Sequence, residues 1–72
     1  MPRLSVVVPL FNEEDSLRQL VNQLLESLHP IGVTFELVLV DDGSRDRTPL
    51  LLRELAAEVP ELVAVQIGRA HV

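Results

Sequence analysis

The spacing of apolar positions changes sharply several times along the chain, and each change predicts an element. Leu4-Ser5-Val6-Val7-Val8 is a short β-branched run closed by Pro9. It is too continuous for a half-exposed strand and predicts one buried on both faces, as in a parallel sheet. Leu17, Leu20, Val21, Leu24, Leu25 and Leu28 then recur at i, i+3, i+4, i+7, i+8 and i+11. That stripe predicts a helix of about four turns. Asn12 is the expected N-cap, with Glu13, Glu14 and Asp15 complementing the positive helix end, and His29-Pro30-Ile31-Gly32 supplies the stop. Phe35 to Val40 repeats the buried-strand pattern, and Asp41-Asp42-Gly43-Ser44 breaks it with turn chemistry. Thr48 is the expected cap of a second helix with Pro49 at its first position, and Leu51, Leu52, Leu55, Ala56 and Val59 form its inner face. Pro60 ends that helix, and Leu62 to Ile67 is a third strand-length run.

The order is β-α-β-α-β, which predicts an α/β fold. Three parallel strands with right-handed crossovers carry two helices, as half of a doubly wound, Rossmann-like domain. Such a half leaves open sheet edges that are apolar and uncharged, so the unit is expected to be incomplete and prone to associate.

At 72 residues the chain holds at most one small domain or part of a larger one. Its 47% apolar and 24% charged residues are ordinary for a folded protein and exclude a disordered or low-complexity class. With no cysteine there is no disulfide framework, thiolate metal site or thiol nucleophile, which fits a cytoplasmic setting. No apolar run approaches the ~20 residues of a membrane span. Eleven acidic against 6 basic residues give a net charge of −5, and the aromatics are 2 phenylalanines. Nucleic-acid binding through counterion release or base-stacking platforms is therefore not expected.

Ligands of open α/β sheets bind beyond the carboxyl ends of the strands. Two polar loops stand there, Pro9-Leu10-Phe11-Asn12-Glu13-Glu14 and Asp41-Asp42-Gly43-Ser44-Arg45-Asp46-Arg47-Thr48. Neighbouring strands would bring them together. Neither is a glycine-rich phosphate cradle. Carboxylates at strand ends can accept hydrogen bonds from a nucleobase or ribose, or ligate a hard divalent cation. The same residues also read as an ordinary turn and as helix-dipole complements. Arg18, Arg53, Glu26, Glu54 and Glu58 read as solvated helix faces, and His29 as a residue interacting with the last helical carbonyls.

Taken in order, Ser5-Val6-Val7-Val8-Pro9-Leu10-Phe11-Asn12-Glu13-Glu14 and Glu36-Leu37-Val38-Leu39-Val40-Asp41-Asp42-Gly43-Ser44-Arg45-Asp46-Arg47-Thr48 resemble the start of a family 2 glycosyltransferase with the GT-A fold. Within that family the second motif is most similar to enzymes that load a sugar onto a polyprenyl phosphate, of dolichol- or undecaprenyl-phosphate type. The resemblance implies a nucleotide-diphosphate-sugar donor whose nucleoside half binds here. Pro9, Phe11 and Glu13 match positions lining the base and ribose pocket. Asp41 and Asp42 match the acidic pair of which at least one contacts the base or ribose, and Gly43 and Ser44 shape the same turn. It further implies a lipid-phosphate acceptor, a place at the cytoplasmic membrane face, and a divalent cation (Mg2+ or Mn2+) neutralising the diphosphate. The cation's ligands and the catalytic residues are expected beyond this sequence, so the chain alone is expected to be inactive.

The tail departs from the family pattern. Ile67-Gly68-Arg69-Ala70-His71-Val72 equals the translation of a widely used short-read sequencing adapter up to its stop codon, so residues 67–72 are expected to be read-through and residues 1–66 the nucleotide-binding part. Two other readings stay open: a self-contained nucleotide-binding or assembly module, and a receiver-like signalling domain. The latter places its acidic pair after the first strand and an Asp after the third. Here the pair follows the second strand, and the third ends Gln66-Ile67.

Overall fold

The computed structural model describes residues 1–68. β1 (Leu4–Leu10), α1 (Leu17–Leu28), a single 3-10 turn (His29–Ile31), β2 (Phe35–Asp42), α2 (Thr48–Glu58) and β3 (Leu62–Ile67) follow in that order. The strands form one parallel sheet in the order β1-β2-β3. Val7, Val38 and Val63 share one row of the register, and Leu10, Asp41 and Gln66 another. The β-α-β-α-β reading therefore holds.

Because the sheet grows in one direction, right-handed crossovers place both helices on the same face. Leu17 and Val21 of α1, Leu52 and Leu55 of α2, and Leu10, Leu39 and Leu62 of the sheet form one core there. Leu28, Phe35 and Leu37 extend it at the opposite end. The other face carries Val7, Val63, Val65 and Ile67, all exposed, Val7 at 62%. The expectation that β1 is buried on both faces is thus corrected: these residues cover one side only. β1 also runs through Pro9 instead of stopping there. An edge strand can hold a proline whose missing N–H lies on the open side.

Both expected helix caps are displaced. Neither Asn12 nor Thr48 caps its own helix: α1 begins at Leu17 and α2 at Thr48, and neither has a side-chain bond from the residue just before it. Glu13, Glu14 and Asp15 lie ahead of α1, outside its first turn. Gly32, at φ +81°, ends the 3-10 turn in the left-handed conformation that glycine adopts without steric cost. At that end of the molecule His29 lies 3.1 Å from the Glu61 carboxylate and packs its ring against Phe35. It therefore links α1's terminus to the start of β3 instead of satisfying helical carbonyls alone. Arg18 is exposed but reaches Glu54 and Glu58 of α2 at 3.8 and 3.3 Å, tying the two helices across their outer surfaces.

Candidate functional site

In a parallel sheet every helix starts where a strand ends, so the loops after β1 and β2 share one edge of the molecule. Hydrogen bonds join them there. The Asn12 N–H donates to Ser44 Oγ (2.8 Å), Glu13 N–H to Thr48 Oγ1 (2.8 Å) and Glu14 N–H to Asp46 Oδ2 (3.2 Å). In return the Arg45 N–H donates to Asn12 Oδ1 (2.9 Å). Three successive backbone donors ahead of α1, which no helical carbonyl can reach, thus find side chains spaced two apart on the second loop. Asp46 Oδ1 also accepts the Thr48 N–H at 2.9 Å, so one carboxylate serves both the turn leading into α1 and the start of α2.

The backbone conformations required are unusual. Asn12 sits at φ +52° and Gly43 at φ +70°. Asparagine tolerates the left-handed region because its short amide can bond locally, and glycine has no Cβ to clash. The Asp46 carboxyl is held below its ordinary value: burial opposes the charge, but the Thr48 side chain and N–H and the Glu14 N–H outweigh it.

The joined loops wall a cleft of about 440 Å³ lined by Phe11, Asn12, Gly43, Ser44, Arg45, Ile67 and Gly68. It lies past the carboxyl ends of all three strands. Phe11 is half exposed, and Arg45 is the charged residue among those lining it. Of the residues singled out from the sequence, Phe11, Gly43 and Ser44 meet here. Pro9 and Glu13 instead line a separate open groove along β1 and α1, with Val8, Leu10, Ser16 and Gln19.

Asp41 and Asp42 end β2 on opposite faces, as successive strand residues must. Asp41 is buried on the helix-covered side, and its Oδ1 accepts no hydrogen bond among the described residues. Asp42 is exposed. The adjacent pair is therefore two separate groups. Among the described residues no cluster of three or more His, Asp or Glu side chains is placed to hold a metal ion. No helix among them is long and apolar enough to cross a membrane.

Asn12, Arg45, Asp46 and Thr48 were not singled out as site residues from the sequence. Their signal was present in the alternation Ser44-x-Asp46-x-Thr48, which puts three hydrogen-bonding side chains at a spacing of two. What they bond lies more than thirty residues away and leaves no local mark. Of the residues expected to be read-through, Ile67 of β3 pairs with Asp42 of β2 and both Ile67 and Gly68 line the cleft, while residues 69–72 lie outside the described residues.

Comparison with known proteins adds relatives to this geometry. The chain is 46% identical over 70 residues to the undecaprenyl-phosphate 4-deoxy-4-formamido-L-arabinose transferase of Edwardsiella ictaluri, covering 94% of this chain and 21% of that protein. The transferase of the same name from Proteus mirabilis is 40% identical over 70 residues, covering 96% of this chain and 22% of its own. An uncharacterized glycosyltransferase of Synechocystis is 51% identical over 45 residues, covering 62% of this chain and 14% of its own. The chain spans about a fifth of the length of the curated transferases it matches, 21% for the first. The family model for Glycosyl transferase family 2 matches residues 5–69, a span that contains both loops and all of the sheet but Leu4. The chain belongs to glycosyl transferase family 2.

Proposed function

We propose that the cleft holds the nucleoside diphosphate half of a nucleotide-sugar donor. The protein to which these residues belong would transfer that sugar to a polyprenyl phosphate. The observation that carries this reading is the cleft itself, walled by the two motif loops at the carboxyl edge of the sheet in a chain 46% identical to an undecaprenyl-phosphate sugar transferase. Phe11 offers an aromatic face on which a base can stack. Arg45 offers a planar cation suited to phosphate oxygens. Asp41, buried on the helix-covered side and outside the cleft lining, would support the turn from beneath, and the exposed Asp42 would offer the carboxylate to a base N–H or ribose hydroxyl. Asp42, Pro9 and Glu13 would bound the same region from the open sheet face and the β1 groove, while Gly43 and Ser44 fix the turn between.

In the complete reaction an acceptor phosphate oxygen attacks the anomeric carbon with inversion and the nucleoside diphosphate departs. A divalent cation, Mg2+ or Mn2+, would stabilise that leaving group from ligands outside residues 1–66. The described residues supply nucleoside recognition in this reading, not the reacting groups. The test is binding of a panel of nucleoside diphosphates by equilibrium dialysis, with the matching nucleosides alongside. Saturable binding of one diphosphate, weakened by Phe11→Ala, supports the reading. No binding by any member of the panel contradicts it.

A further inference from the structure

We propose that Asp46 is the positioning residue of the cleft: its one carboxylate, bonded to the turn that leads into α1 and to the first residue of α2, sets the spacing between the two loops that wall the ligand site. This deepens the nucleotide reading and rests on it for the ligand.

Asp46 is not among the residues lining the cleft, so it acts through others. Its Oδ2 accepts the Glu14 N–H at 3.2 Å and its Oδ1 the Thr48 N–H at 2.9 Å. Thr48, fully buried, relays the link by accepting the Glu13 N–H through Oγ1. Ser44 and Asn12 complete it from the cleft side, at 2.8 and 2.9 Å. A change at Asp46 therefore reaches Phe11, which precedes the bonded amides, and Gly43 to Arg45, which precede the carboxylate. Carboxylate is the chemistry this geometry requires, since both contacts are accepted from N–H donors. An asparagine has one accepting oxygen and an NH2 that faces the second donor with like polarity. Hydrogen bonds to an ionised acceptor are also stronger than those between neutral groups.

The experiment compares the 72-residue chain with Asp46→Asn, Asp46→Ala and Ser44→Ala at low micromolar concentration. Amide exchange across residues 11–16 and 44–50 is read together with the dissociation constant for UDP, GDP, CDP and ADP. Asp46→Ala is expected to speed exchange in both segments by about tenfold or more and to weaken the preferred diphosphate by about tenfold. Asp46→Asn keeps one contact and should fall between it and the unmodified chain, a partial rescue that mere loss of charge would not give. Ser44→Ala should speed exchange in the 11–16 segment alone. Should Asp46→Ala fail to fold, the asparagine variant carries the comparison.

Unchanged exchange in both Asp46 variants would overturn the proposal. So would weakened binding with unchanged exchange, which would make Asp46 a direct ligand contact. Fast exchange in the variants with no diphosphate bound by the unmodified chain would uphold the link between the loops but refute its role in a nucleotide site, leaving the binding reading at fault.

Discussion

Gly43 carries the turn between β2 and the second loop at φ +70°, a conformation that a side chain makes costly. Gly43→Ala is expected to destabilise the chain by about 1–2 kcal/mol, read as a lower urea midpoint at unchanged slope. Arg45 faces the cleft with a cation and gives its backbone N–H to Asn12. Arg45→Ala keeps that bond and removes the charge, so it should weaken a nucleoside diphosphate while leaving the parent nucleoside unchanged. Equal weakening of both would place Arg45 away from the phosphates. Asp46 sets a pH dependence whose sign is fixed. Its carboxyl titrates below the ordinary value of 3.8 in the folded chain, so its stabilisation is complete above that value and is lost as pH falls through the lower folded value. Stability measured between pH 5 and pH 2 should fall less steeply in Asp46→Asn than in the unmodified chain. Identical slopes would show that the carboxylate contributes nothing to acid sensitivity. At this scale the sequence was least legible. Asn12 and Thr48 look like caps because asparagine and threonine cap helices, yet each bonds the other loop; local preference does not say which helix a side chain serves.

The elements were legible because their periods are unlike. The stripe from Leu17 to Leu28 has a helix's spacing, and the structure places Leu17, Val21 and Leu28 against the sheet. The runs at Phe35 and Leu62 have a strand's length, and both pair in parallel register. The misreading of β1's burial followed from composition. Val6-Val7-Val8 reads as buried on both faces, but among the described residues only the alternate positions meet helices. A continuous apolar run records what a strand's faces can accept, not what covers them here. The distinction has energetic consequences. Leu39→Ala and Leu52→Ala, both at fully buried positions, should each cost about 2–5 kcal/mol through lost burial and the cavity left behind. Val65→Thr on the exposed face should change stability by less than about 0.5 kcal/mol. Chemical denaturation of the three variants checks this, and a Val65 effect as large as that of Leu39 would mean the second face is covered in solution.

On the scale of the whole molecule, one face of the sheet is packed and the other presents Val7, Val63, Val65 and Ile67 to solvent beside open edges. Apolar surface of that kind associates. The 72-residue chain should therefore sediment as larger species as its concentration rises, and Val7→Lys with Val65→Lys should restore the monomer without loss of helix or strand signal. A monomer at every concentration would contradict that picture. The proposed site lies at the carboxyl edge and shares only Ile67 with the four exposed apolar residues of this face, so binding and association can be measured apart. The most direct measurement of the central claim is equilibrium dialysis of the Lys-substituted chain against UDP, GDP, CDP and ADP, with amide exchange recorded in the bound and free states. The account predicts saturable binding of a diphosphate with slowed exchange confined to residues 11–16, 43–48 and 67–68. Absence of binding, or protection centred on the groove along β1 instead, would contradict it.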